Sequence, residues 1–474
     1  MYWSLEEDMG KKKLIYIPME IKAREFESKI LLSCFAAEQN YGVLLVHKFP
    51  KGIFKHLPTG IYIDKDIAAH RFKTLKNIHK YKMKIVCFDE EGLLQDRNDP
   101  LRSKRFSIFR LSKETLELTD LILAWGENHK GIICDFYPDS DKKIKITGSS
   151  RVDLLRPEFA KLNKAKSSLL KEKWGPYILI PSAFSAAINV NGSDFLFNHF
   201  KLSNSLVGKK TTESEINFFK KREEHSRRNL DQFSKAIIKM ANIYKKYNII
   251  IRPHPNDDHK YWYDLTKKLN NVHVVYTHTV KDWITGCEVM VHNNCTSGLE
   301  GYILQKPVVQ YSPYIDEEME RNIKNAENFK VKTEDDLFSV LSKILNNKTK
   351  INNDTSLLNG YISSLEGKMA SEKIVDSLNM LNVKEVELNL NSLPLYFFKV
   401  KLKNYLRSKL IKFFNKEDNS GLGISKQAQQ NKFPGISLKE VNYFIKSYSK
   451  ELNRFHNIEA KQVSKNSFYI RKKA

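Results

Sequence analysis

Two short segments carry the residue types best suited to chemistry. In IIIRPHPNDD, residues 249–258, an apolar run leads straight into Arg252-Pro253-His254-Pro255. The flanking prolines fix the backbone and remove competing amide donors, so the guanidinium and imidazole can be aimed at an anion such as a nucleotide phosphate. In VMVHNNCTSGLEGYILQKPVVQY, residues 289–311, an apolar run ends at His292 and is followed by Thr296, Ser297 and Gly298, with Glu300 one turn on. Two hydroxyls at a helix start, where backbone amides and the positive dipole end are exposed, make an anion site. Gly298 lets the loop approach a phosphate closely. Glu300 suits ribose hydroxyls, and a capping acid for its own helix is the plain alternative.

Carboxylates make up a second set. Asp89, Glu90 and Glu91 follow the apolar run ending at Phe88, and Asp153 sits in GSSRVDLL. Two carboxylates on opposite sides of a reacting centre can do acid/base or nucleophilic work at an anomeric carbon. Ion pairing within the cluster, or of Asp153 with Arg151 or Arg156, is the structural alternative. Glu20, Arg24 and Glu25 follow the first apolar run, and GIYIDKD adds Asp64 and Lys65. Arg24 is suited to holding a substrate carboxylate, or to pairing with Glu20 four residues away. Arg24, Glu20, Asp64 and Lys65 are the substrate-binding candidates.

These residues need rigid elements behind them. From Lys12 onward, apolar runs of four to six residues alternate with segments of helical period, the pattern of β-α units feeding parallel sheets. The first series has strands at 14–18, 42–46, 84–88, 121–124 and 143–146, and helices at 23–39, 69–82 and 128–136. Three strands end in polar, glycine-containing segments, CFDEEG, AWGENH and TGSSRVD, where the chemistry of a parallel sheet belongs. A break at Arg156-Pro157 and a Lys-rich helical segment lead to Gly175-Pro176 and a new strand at 177–181. An insertion rich in Asn, Ser and Phe spans 184–212, and a long amphipathic stretch follows over 213–247. The second series has strands at 248–252, 272–276, 288–292 and 307–311, with helices at 334–346 and 369–381 closing it. The expected architecture is therefore α/β: two tandem Rossmann-like domains, 12–157 and 175–383, then a basic, mainly helical C-terminal tail, 384–474.

Composition narrows the partners. Across 474 residues, Lys+Arg 79 exceed Asp+Glu 55 by 24, so an anionic partner is expected. The tail concentrates the charge: LPLYFFKVKLKNYLRSKLIKFFNK sets Phe, Tyr and Leu among seven cations with no acid before Glu417. Such a segment, about residues 393–416, fits an anionic membrane surface, or packs its apolar stripe on the second domain. No helix-turn-helix, zinc-finger or aromatic RNA-binding spacing occurs, so nucleic acid is not expected. Five cysteines without Cys-x-x-Cys or Cys/His spacing indicate neither a disulfide framework nor a structural metal. No stretch reaches the length of a membrane span, and a cytoplasmic location is expected, peripheral on the inner face of the membrane if the tail binds lipid.

Taken together, P-x-E-x-x-x-R-E-x-x-x-K at 18–29, GIYIDK at 60–65, DEEGL at 89–93, TGSSRVDLLRPEF at 147–159, RPHP at 252–255 and HNNCTSGLEGYILQKPV at 292–308 resemble a known family. It is the bacterial surface carbohydrate biosynthesis proteins, relatives of two-domain GT-B glycosyltransferases, and the resemblance covers about residues 12–330. Within that group the sequence looks like the retaining β-Kdo transferases. The resemblance implies a CMP-activated ulosonic acid donor and a glycan or lipid-linked glycan acceptor of capsule or lipopolysaccharide synthesis, with no obligatory metal or other cofactor. It implies His254 and Arg252 on phosphate, Thr296, Ser297 and Glu300 on phosphate or ribose, Asp153 as nucleophile, and Glu90 or Glu91 as the acid/base or acceptor-activating group. The competing readings are a CDP-polyol phosphotransferase, a nucleotide-sugar 2-epimerase and a non-catalytic protein of envelope-polysaccharide assembly.

Overall fold

The computed structural model describes residues 10–92, 96–320, 327–347, 349, 351–414 and 426–473. Its first sheet is built on β1 (Lys13–Pro18), β2 (Tyr41–Val46), β3 (Ile61–Asp64), β4 (Lys84–Phe88), β5 (Leu121–Ala124) and β6 (Ile144–Ile146). These six are parallel, in the order β2-β1-β3-β4-β5-β6. Their runs of Ile, Val and Leu are continuous rather than alternating because helices cover both faces. All six residues of β2 are buried, for example.

The second sheet comprises β7 (Tyr177–Pro181), β8 (Asn248–Arg252), β9 (Val272–Val274), β10 (Val289–His292), β11 (Val308–Tyr311) and β12 (Phe329–Val331). Its order, β12-β11-β10-β7-β8-β9, is all parallel and reverses direction between β7 and β10. In an open α/β sheet such a switch point leaves a crevice at the carboxyl ends of the strands, where ligands bind.

The two domains are tied in three places. The helix Ala370–Leu378, expected to close the second half, packs instead on the first-domain helix Lys22–Glu38, and Met369, Ile374, Val375 and Leu378 join the first-domain core. The insertion carries a helix, Phe195–Leu206, and leads to the 31-residue helix Glu213–Ile243, started by a Thr212/Glu215 capping box. Phe200, Phe218 and Phe219 from these helices surround Phe109 of the first domain, with ring centroids 4.8 to 5.5 Å away. A buried charge cluster is the third tie: Glu27 of the first domain meets Lys281, at 3.4 Å, and Lys166, at 2.6 Å, and Lys166 lies 3.8 Å from Asp282.

The C-terminal region is helical over Leu393–Phe414 and Leu438–Leu452 and ends in a hairpin, β13 (Ile458–Ser464) and β14 (Ser467–Lys472). β14 pairs antiparallel with β2, so residues 458–472 extend the first sheet to eight strands and cover its edge. Phe444, Ile445, Tyr448, Phe468 and Ile470 belong to the first-domain core. Among the described residues, no helix is long and apolar enough to cross a membrane.

Candidate functional site

A cleft runs between the domains at the switch point of the second sheet. Its second-domain wall holds Ser182 after β7, His254 after β8, Tyr276 after β9, and Thr296, Ser297 and Glu300 after β10. Arg24 and Arg151 line the opposite wall, and the cleft continues past them to Glu90, Glu91 and Trp125.

On the second-domain side, His254 Nδ1 accepts from the amide of Asn256 at 3.2 Å, which fixes the ring at the cleft wall. Thr296 and Ser297 open the short helix Ser297–Ile303, and the Ser297 hydroxyl donates to Cys295 Sγ at 2.9 Å. Glu300, in the first turn of that helix, accepts from Arg151 at 2.8 Å across the cleft.

Three residues expected on the nucleotide are engaged in other contacts, Arg252 while also lining the cleft. Arg252 donates to the carbonyls of Thr277, at 2.7 Å, and His278, at 2.5 Å, and lies over the Tyr276 ring. Its guanidinium fixes the loop after β9, and burial lowers its pKa. His292 is buried outside the cleft lining; its Nδ1 accepts from the amide of Cys295 at 3.0 Å, and burial pushes its pKa down to about 3, so it is a neutral prop for the turn. Gly298 follows from His292 rather than from a phosphate: a Cβ there would lie 2.5 Å from the imidazole Cε1.

On the first-domain side, Arg24 donates to the carbonyl of Glu90 at 2.9 Å and to Glu91 at 3.4 Å, not to Glu20. Arg151 reaches the same Glu90 carbonyl at 3.3 Å. Glu91 keeps about 39% of its side chain exposed and lies 3.5 Å from Arg110. Glu90 is buried, 3.7 Å from Lys29, and its Oε2 accepts no hydrogen bond among the described residues. Burial raises its pKa, with the Glu25 carboxylate adding to the effect and Lys29 opposing it. Asp89 is held by Arg110, and its carbonyl accepts from Trp125 Nε1.

Asp153, expected as the nucleophile, is fully buried away from the cleft. Its carboxylate accepts from the amides of Ala370 and Ser371 and from the Ser371 hydroxyl, at 2.7 to 2.8 Å. It caps the helix that crosses back from the second domain, using the unpaired amides of that helix's first turn. The same crossing segment covers two of the three glycine-containing loops expected to carry chemistry. The amide of Asn128 donates to Gly360 O, that of Ser363 to Trp125 O, and the Ser364 hydroxyl to Thr147 O. Gly148, at φ +81°, is pressed against the Ser363 backbone, where a side chain would not fit.

Glu20, Asp64 and Lys65 lie outside the cleft. Lys65 pairs with Glu20, and Asp64 accepts from Arg71 Nε, at 3.1 Å, and Nη2, at 2.8 Å. All three face a separate cavity within the first domain. Sequence reading had not singled out Ser182, Tyr276, Glu27 or Lys281 as cleft residues. Arg151 was visible only as a partner for Asp153, and nothing in HTVKDW marks Lys281 as facing another domain.

Two facing Rossmann-like domains, with a cleft at the switch point of the second, define a protein of GT-B-like architecture. No protein-family model and no curated protein matches the sequence. Among solved structures, the chain is similar to the UDP-GlcNAc 2-epimerase of Methanocaldococcus jannaschii in complex with UDP-GlcNAc and UDP: 15% identity, 78% of this chain and 99% of that one covered, TM-score 0.46. It is similar to UDP-GlcNAc 2-epimerase from Neisseria meningitidis bound to UDP-GlcNAc, at 14% identity over 78% and 100% of the two chains with TM-score 0.46. The wall teichoic acid polymerase TagF is a third, at 12% identity over 79% and 89% with TM-score 0.47.

Proposed function

We propose that the protein is a nucleotide-sugar-dependent glycosyltransferase of bacterial surface polysaccharide synthesis, with a CMP-activated ulosonic acid as donor. The observation that carries this is the convergence of Arg24, Arg151 and His254 with the hydroxyls of Thr296 and Ser297 in one interdomain cleft whose far end holds Glu90 and Glu91. In this reading His254, Thr296 and Ser297 hold the donor phosphate, Glu300 the ribose, and Tyr276 flanks the base. The glycosidic bond forms between the acceptor oxygen and the anomeric carbon while the bond from that carbon to the CMP phosphate oxygen breaks. CMP leaves with the electron pair, and Arg24 and Arg151 stabilise the charge that develops on it. The acceptor proton passes to a first-domain carboxylate. With Asp153 engaged elsewhere, Glu90 and Glu91 are the candidates, and the raised pKa of Glu90 suits a group that must take up a proton. Specificity for CMP and for a ulosonic acid rests on the motif resemblance.

A second part of the proposal concerns the C-terminal helix. Leu393–Phe414 buries Leu393, Phe397 and Val400 against the first domain and leaves Leu395, Phe398, Leu402, Tyr405 and Leu406 exposed among lysines and Arg407. We read this face as a contact for an anionic membrane surface.

Thermal shift with CMP, CDP, UDP and GDP tests the donor. A ligand at a hundredfold excess over Kd stabilises the folded state by about 2.7 kcal/mol. CMP is expected to raise the Tm of the wild type and not of Thr296→Ala. A preference for CDP or UDP would point to polyol-phosphate transfer or 2-epimerisation, and no response to any nucleotide would favour the non-catalytic reading.

A further inference from the structure

The first sheet has its own switch point, between β1 and β3, because the chain leaves β1 for β2 on one side and returns to β3 on the other. A cavity of about 430 Å³ opens there, against about 160 Å³ for the part of the cleft nearest the second-domain strands. Six cationic side chains line it and only three carboxylates. Those carboxylates are already engaged: Glu20 with Lys65 and Lys432, Asp64 with Arg71, and Glu25 with Lys29 and with the amides of Glu20 and Ile21. Lys48, Lys51 and Lys73, at the rim, make no ion pair among the described residues. Burial lowers the pKa of Lys48; the Glu20 carboxylate opposes the shift, and Lys432 and Lys65 add to it. Phe54 and Tyr62, both buried and packed edge to face 5.4 Å apart, belong to the core beneath the cavity.

We propose that this first-domain cavity binds an anionic acceptor saccharide, its carboxylate or phosphate taken by the unpaired rim lysines. The proposal rests on the glycosyltransferase reading for the word acceptor, but not for the anion. Glu90 and Lys29 join the two sites: Lys29 lines the cavity, Glu90 lines the cleft, and they are 3.7 Å apart. The carboxyl group that would take the acceptor's proton thus lies on the cleft side of a pair whose lysine lines the cavity.

Calorimetric titration of the full chain with methyl β-glucuronide, inorganic phosphate and neutral methyl β-glucoside tests this. At least one anion is expected to bind, and the neutral glycoside is not. In the Lys48→Ala/Lys73→Ala double variant that binding should weaken roughly tenfold or more, the loss expected for a charge-assisted contact. Neither lysine holds a carboxylate, so Tm should be unchanged. CMP binding should persist in this variant, and Thr296→Ala should lose CMP but keep the anion. Whichever of glucuronide and phosphate depends on the two lysines identifies the group as carboxylate or phosphate. Equal anion binding by the double variant, binding of the neutral glycoside as tight as that of the acid, or no anion binding at all would overturn the proposal. If CMP fails to bind while lysine-dependent anion binding remains, the donor reading falls and the cavity stands.

Discussion

Arg151 and Glu300 form a half-buried ion pair, 2.8 Å long, between the first and second domains at the centre of the cleft. Arg151 also holds the Glu90 carbonyl, so one guanidinium links the carboxylate expected on the ribose to the segment expected at the sugar. Removing either partner strands the other in a site largely shut off from water. A double-mutant cycle with Arg151→Ala and Glu300→Ala, read by denaturant unfolding, should give a coupling of about 1 kcal/mol. Arg151→Ala should in addition weaken CMP binding roughly tenfold. A coupling near zero would mean that the pair does not hold the domains together.

Asp153 should prove structural rather than nucleophilic. Asp153→Ala leaves two helix amides and a hydroxyl without an acceptor in a buried place, at a cost of about 3 kcal/mol. The effect should carry a pH signature. Burial lifts the Asp153 pKa to about 6, although three donors oppose the shift. The usual unfolded value is about 3.9, so the folded state holds a proton that the unfolded state has lost between about pH 4 and 6. Its contribution to stability is therefore greatest at low pH and falls as pH rises through that window. The uncharged Asp153→Asn lacks this dependence, so its penalty relative to wild type should be larger at pH 5 than at pH 7.5, by about 1 kcal/mol. Urea unfolding at the two pH values reads this difference, and equal penalties would contradict it.

Much of the scaffold was legible because each buried parallel strand is a continuous apolar run bounded by polar loops. The strands at Lys84–Phe88, Leu121–Ala124, Tyr177–Pro181 and Asn248–Arg252 fall at the predicted residues. The hairpin β13–β14 was not legible: IEAKQVS and SFYIRK are short and carry charges, and they are strands because β2 offers an open edge. Position after a strand drew attention to His254, Thr296, Ser297, Glu300, Arg24 and the Glu90–Glu91 pair, all of which line the cleft. The same rule misled at Asp153 and in the AWGENH and TGSS loops, because the covering segment at 359–371 is more than 200 residues away in sequence. Arg252, which lines the cleft, and His292, which does not, share one habit: a polar side chain at a strand end can turn back to satisfy the loop that follows it.

Arg252 and His254, two residues apart, should separate in experiment. Arg252 holds two carbonyls of the 277–278 loop, so Arg252→Ala leaves those acceptors unpaired and should lower stability by about 2 kcal/mol, with ligand binding weakened only as far as the loop moves. His254 lines both parts of the cleft. His254→Ala should keep the wild-type Tm within a degree or two yet lose most of the CMP-induced shift. If Arg252→Ala instead abolished binding at unchanged stability, the guanidinium would have to leave its carbonyls for the ligand.

The C-terminal helix gives a test that truncation cannot. Removing residues 393–474 would strip the hairpin from β2 and take Phe444, Tyr448, Phe468 and Ile470 out of the first-domain core, so lost sedimentation with lipid would only report unfolding. Point changes on the exposed face avoid this. Phe398 and Leu402 are 62% and 43% exposed and one turn apart, whereas Phe397 and Val400 are buried. Phe398→Glu/Leu402→Glu should leave Tm unchanged while removing apolar contact and opposing the charge attraction of a helix with no acid of its own. Wild type should sediment with vesicles containing phosphatidylglycerol and not with neutral phosphatidylcholine vesicles. Binding should fall between 50 mM and 500 mM salt, as attraction across a shrinking Debye length requires. The double variant should stay in the supernatant at both salt concentrations. Sedimentation of the variant equal to that of wild type would remove the membrane from the proposal and leave the apolar face to a protein partner.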